Sequence, residues 1–127
     1  MAQPQLDTAR DFNAILTCLR SRPSLARELE PFLKALYERL PGDDICSRSA
    51  ADWVGMAQHL HRQFRERKAD QALIRVYNPS EDEHGYQCPH TVVEILTDDS
   101  PFLVDSVSMA IARHRLLIHL IVHPVLV

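Results

Sequence analysis

The chain has 127 residues, 46% of them hydrophobic and 24% charged, enough for one domain or a domain and a half with a modest core. A formal net charge of −3 gives no global field that would draw nucleic acid or an anionic membrane. Three cysteines, Cys18, Cys46 and Cys88, are odd in number and far apart with no CxxC pair. That usage fits a reducing cytoplasm better than a disulfide scaffold, and the first residues lack the basic-then-apolar order of a signal peptide.

Taken in order, residues 7–20 place Phe12, Ile15, Leu16 and Leu19 at helical spacing behind Asp7, a plausible cap. Pro23 interrupts, Ser24 is expected to cap a short helix running through Glu30, and Pro31 to restart a second. Phe32, Leu33, Leu36, Tyr37 and Leu40 then form an apolar face that Pro41-Gly42 ends, with 42–48 expected as loop. Ser49 to Asp52 resembles a capping box with aspartate in place of glutamate. Behind it Trp53, Met56, Ala57, Leu60 and Phe64 make a third stripe, ending in the charged run Arg65-Glu66-Arg67-Lys68, whose positive charge suits a helix C-terminus. Residues 1–70 are therefore expected to be a helical segment.

From residue 71 the period changes. Residues 72–77 alternate well enough for a strand, Asn78-Pro79-Ser80 ends it, and 81–85 has turn chemistry. Thr91–Thr97 is a second β-branched run with Glu94 in its middle, so the two runs suit an antiparallel hairpin with a long loop. Asp98, Asp99, Ser100 and Pro101 read as a turn into a helix, with Ser100 as cap and Pro101 in the first position. Leu103, Val107, Ala110, Ile111 and His114 recur at helical spacing over 101–114. Leu116 to Val122 is almost wholly apolar, far too short for a membrane span, and reads as a further strand. Strand, helix, strand implies a right-handed βαβ crossover, and 91–126 looks like the unit around which the upstream helices pack.

Residues Asp98 to Val107, DDSPFLVDSV, resemble the first loop and helix of an ACT domain, a small ferredoxin-like βαββαβ module often found on amino-acid enzymes. More specifically, IRVYNPSEDEHGYQCPHTVVEI and the stretch after it, with P-F-L-V-D-S-V and then I-H-L-x-x-H-P-V, closely resemble the N-terminal region of the large bacterial NAD-specific glutamate dehydrogenases. The likeness is dense over 71–127 and looser over 30–70. It implies an α+β chain in which 1–70 is helical and 71–127 is the first half of an ACT-like domain, its sheet incomplete. By the same likeness the parent oxidatively deaminates L-glutamate to 2-oxoglutarate and ammonia as NAD is reduced. This chain is expected to be a catalytically silent regulatory or assembly piece, cytoplasmic, and part of a homo-oligomer with the remainder of the parent. The alternative is a free-standing amino-acid-sensing module or a structural dimerisation domain.

The chemistry-bearing residues support that restraint. His119 and His123 share a strand face, but four residues of strand span about 13 Å, too far for one zinc. They are expected to be interface histidines. His59 and His61 sit roughly 200° apart around a helix, and no metal site is expected. Arg62, Arg65, Arg67 and Lys68 around Phe64 are offset by Glu66 and Asp70, so nucleic-acid binding is not expected either. The three glycines, Gly42, Gly55 and Gly85, form no dinucleotide fingerprint, so NAD is expected to bind the parent elsewhere. Asp98, Asp99, Ser100, Phe102 and Leu103 form the candidate ligand or interface turn. There, ACT domains offer backbone N–H groups to a small amino-acid effector. Phe102 stands where the ACT pattern has glycine; phenylalanine blocks the close backbone approach and disfavours the unusual φ that glycine permits.

Overall fold

The computed structural model describes residues 9–68, 71–98 and 101–124. Its helical layer opens with α1 (Phe12–Arg20), capped by Asp11, whose side chain accepts from the Ala14 N–H. Asp7, the cap expected from sequence, lies outside the described residues. Ile15, Leu16 and Leu19 are buried, as the helical period requires. Residues 23–37 form one helix, α2 (Pro23–Tyr37), instead of two separated at Pro31. Pro31 faces solvent; the one hydrogen bond it removes leaves a carbonyl that water can serve. Meanwhile Leu29, Leu33, Leu36 and Tyr37 bury a continuous stripe. Arg22 stands at the N-cap without a side-chain bond, so Ser24 is not the cap.

The expected loop at 42–48 contains a helical turn, α3 (Gly42–Ile45), that buries Ile45. Helix α4 (Ala50–Glu66) follows, with the Ser49 hydroxyl accepting from the Asp52 N–H. The core lies where these helices meet. Tyr37 and Trp53 pack edge to face at 5.0 Å, the Tyr37 hydroxyl donates to the Trp53 carbonyl at 2.7 Å, and the Trp53 indole N–H donates to the Ile45 carbonyl at 2.9 Å. Both large aromatics thus bury their apolar bodies with their polar tips satisfied.

Beyond the helices, β1 (Leu73–Tyr77) pairs antiparallel with β2 (Val92–Leu96), with Leu73 opposite Leu96, Arg75 opposite Glu94 and Tyr77 opposite Val92. The connection contains a one-turn helix, α5 (Glu81–His84), capped by Ser80 and ended by Gly85 at φ +80°, a left-handed turn suited to glycine. Alternation places Tyr77 and Glu94 on the inner face, while Ile74 and Val76 are 67% and 66% exposed on the outer one. Helix α4 and this connection touch closely at Gly55: a β-carbon there would lie 2.9 Å from the Tyr86 β-carbon and closer still to the Gly85 carbonyl oxygen. Tyr86 is fully buried and joins the helical core.

Helix α6 (Leu103–Arg113) starts two residues later than Pro101 would set it, because its N-cap, Phe102, is left-handed at φ 62°. Ser100 lies outside the described residues. The helix ends with Arg115 at φ 61°. The Arg115 and Leu116 N–H groups bond back to the Ala112 and Ile111 carbonyls, a Schellman closure without its usual glycine. Leu103, Val107 and Ile111 are half-buried, but Ala110 and His114 are exposed and no residue of α6 is fully buried.

Leu116 to Val122 is not a strand, so the described residues form no βαβ crossover. Leu120 and Val122 pack against the helical core, while His119, Ile121 and His123 face out. The segment lies beside the end of α2 and lines an open groove of about 780 Å³ with residues such as Leu36 and Leu40. Only Leu120 and Val122 find cover there; Leu116 and Leu117 stay largely exposed, and Ile118 and Ile121 partly so. The architecture is α+β, a helical segment followed by an incomplete sheet, but the buried core lies in residues 9–57 with Tyr86. The upstream helices are the body of the fold, and Leu120 and Val122 pack against them.

Candidate functional site at the helix–sheet seam and the acidic turn

The densest polar constellation lies between α4 and the inner sheet face. Glu94, 5% exposed on β2, accepts a hydrogen bond from the Tyr77 hydroxyl at 2.6 Å. The Tyr77 and Tyr86 oxygens are also 2.6 Å apart. A hydroxyl has one proton, and Tyr77 has given its own to Glu94, so Tyr86 donates to Tyr77. From α4, His59 Nε2 stands 3.2 Å from the same Glu94 oxygen, although its angle makes no hydrogen bond. Burial pushes the Glu94 pKa up, but His59, Tyr77 and Arg75 outweigh it and hold the carboxyl below its ordinary value. Burial pushes the Tyr86 phenol up to about 12. His84 stacks on Tyr77 at 4.3 Å, its Nδ1 accepting from the Ser80 N–H. Asp52 links the same parts from outside, accepting from the Gln87 N–H at 3.0 Å.

The sequence singles out none of these residues as a site. Glu94 inside an apolar strand is the one available signal, since a buried carboxylate requires a partner. The partner, His59, sits on a distant helix, beyond any local pattern. His61, two positions on, points elsewhere, its ring 4.9 Å from Phe32. The cluster can hold charge and relay hydrogen bonds. Among the described residues no group of three or more His, Cys, Asp or Glu side chains has metal-binding geometry, and the cysteines are free thiols.

The candidate turn is only partly described. Asp98 is exposed and pairs with Arg67 at 2.8 Å, tying the end of β2 to the end of α4. Asp99 and Ser100 lie outside the described residues. Phe102 is 77% exposed and holds the left-handed geometry that glycine takes easily. Leu103 is the half-buried first residue of α6. His119 and His123 do not share a sheet: the His119 ring stacks on His90 at 4.1 Å, and His123 lines the open groove.

Comparison with known proteins is decisive on family. The family model for the ACT1 domain of glutamate dehydrogenase matches residues 32–127. The chain belongs to that family. Among curated proteins, the NAD-specific glutamate dehydrogenase of Pseudomonas aeruginosa is 39% identical over 88 residues, covering 69% of this chain and 5% of that protein. The NAD-specific glutamate dehydrogenase of Halomonas elongata is 33% identical over 101 residues, covering 80% of this chain and 6% of that protein. The ACT1 chain therefore spans about a twentieth of the curated relatives it matches. No solved structure matches it. The match takes in α4 and the second half of α2 as well as the hairpin, so the buried seam lies wholly within the ACT1 region. No helix among the described residues is long and apolar enough to cross a membrane.

Proposed function

We propose that the chain is a non-catalytic segment of an NAD-specific glutamate dehydrogenase, serving assembly or regulation of a parent that deaminates L-glutamate with NAD. Membership of the ACT1 family over residues 32–127 carries this reading. NAD and glutamate bind the parent outside this segment, in keeping with the absence of a glycine-rich dinucleotide loop from its sequence. The assembly role is supported by the outer sheet face, where Ile74 lies opposite Ile95 and Val76 opposite Val93. That face is apolar and open, the kind of patch that marks an association surface, and it meets the same face of another copy of the chain. Sedimentation equilibrium tests this: association that strengthens with concentration and is lost in Val76→Lys is expected, and a monomer at every concentration contradicts it.

The alternative, an amino-acid sensor, is favoured by one observation. Phe102 holds a left-handed backbone at the position where the ACT pattern has glycine, a geometry that glycine takes easily. Calorimetry against a panel of amino acids separates the readings. Stoichiometric binding supports the sensor, and silence across the panel supports assembly.

A further inference from the structure

We propose that His59, Gln63 and Glu94 enclose a buried water site that joins α4 to β2. The three side chains are 5%, 7% and 5% exposed. Both ring nitrogens of His59, Oε1 of Gln63 and Oε1 of Glu94 are buried without a hydrogen-bond partner. Four such atoms in one seam stand out, because buried polar groups are almost always paired, with protein or with ordered water. His59 and Gln63 are one helical turn apart on the same face of α4, and His59 Nε2 stands 3.2 Å from Glu94. Tyr77 occupies Glu94 Oε2 and leaves Oε1 without a donor.

The donor and acceptor inventory fits water. A water molecule donates one proton to Gln63 Oε1 and one to Glu94 Oε1, and accepts from a His59 ring N–H, the three bonds typical of an internal water. The nitrogen that serves the water is Nδ1, because Nε2 is the one 3.2 Å from Glu94 Oε2; the water thus pairs three of the four atoms and leaves Nε2 against the carboxylate without a hydrogen bond. A cation fits poorly, since Glu94 Oε2 already takes the Tyr77 proton and the described residues form no three-ligand His, Cys, Asp or Glu group. The water extends the chain of bonds from Tyr86 through Tyr77 and Glu94 across to α4. The seam between helices and sheet is then polar and hydrated at this point, beside the dry contact at Gly55.

Water-selective nuclear and rotating-frame Overhauser spectra of the folded chain test the site. The expected result is a cross-peak between long-lived water and both the Gln63 side-chain amide and a His59 ring proton. In Gln63→Leu, with folding checked by circular dichroism, the water peak at His59 should disappear. Direct exchange with the tyrosine hydroxyls would survive that substitution, so a peak unchanged in Gln63→Leu overturns the proposal. So does the absence of any long-lived water signal at His59 in the unaltered protein, a measurement that does not depend on a variant folding.

Discussion

Replacing Gly55 with alanine separates helix propensity from packing, because the two have opposite signs. On an exposed helix the change stabilises by about 1 kcal/mol. Here the new β-carbon would stand 2.9 Å from the Tyr86 β-carbon and 3.1 Å from the Gly85 carbonyl carbon, with the Gly85 carbonyl oxygen closer still. None of these is the end of a flexible side chain. The obstacles are backbone and a β-carbon, fixed by the left-handed turn at Gly85 and by Tyr86, which is buried among the core residues. Overpacking of this kind costs about 1–3 kcal/mol, and an unyielding wall puts it near the upper end. Net of the propensity gain, the expected loss is about 2 kcal/mol. For a chain of this length that lowers Tm by roughly 6–10 °C, measured by thermal unfolding followed by circular dichroism. An unchanged or raised Tm would show that α4 does not press on the 85–86 turn and would refute the packing of helices against sheet described above.

Two further outcomes follow from the same geometry. Glu94 is held below its ordinary value of 4.5 in the fold, so its contribution to stability is complete above about pH 4.5 and lost as pH falls through the lower folded value. Urea midpoints measured at falling pH should drop in this acid range, and Glu94→Gln should flatten the drop. An equally steep drop in that variant would place the titration elsewhere. Glu30, held at about 2 by its bond from Arg20, acts in the same direction, but as a surface pair its share fades in salt, which distinguishes the two. Phe102→Gly should stabilise the chain by about 0.5–1 kcal/mol. A left-handed backbone costs an L-residue about 1–2 kcal/mol, part of which is offset by the entropy of glycine, and the Phe102 side chain is largely exposed. Destabilisation in urea would contradict this.

The helical stripes were legible because each buries one face at the helical period: Ile15, Leu16 and Leu19, then Leu33 and Leu36, then Trp53, Met56 and Ala57. The hairpin was legible from alternation and β-branching. Pro31 misled because a proline on the solvent side of a helix forfeits one bond that water replaces, and the buried stripe on the other side holds the helix together. Leu116 to Val122 misled differently. Its apolar, β-branched run suits a strand, but whether such a run joins a ladder depends on which surface lies beside it. The His59–Glu94 seam was illegible in principle, since no local period connects a histidine on one helix with a carboxylate on a distant strand. Phe102, a bulky residue at a glycine position, is expected from sequence to avoid an unusual φ, yet its backbone stands at φ 62°.

The claim at the centre of this account is that the ACT1 segment carries none of the dehydrogenase chemistry itself. The most direct test is to titrate NAD, with and without L-glutamate, into the purified chain by calorimetry while following NADH absorbance in the same samples. The account predicts no heat of NAD binding and no NADH. Saturable one-to-one NAD binding, or glutamate-dependent NADH formation that scales with the concentration of the chain, would contradict it.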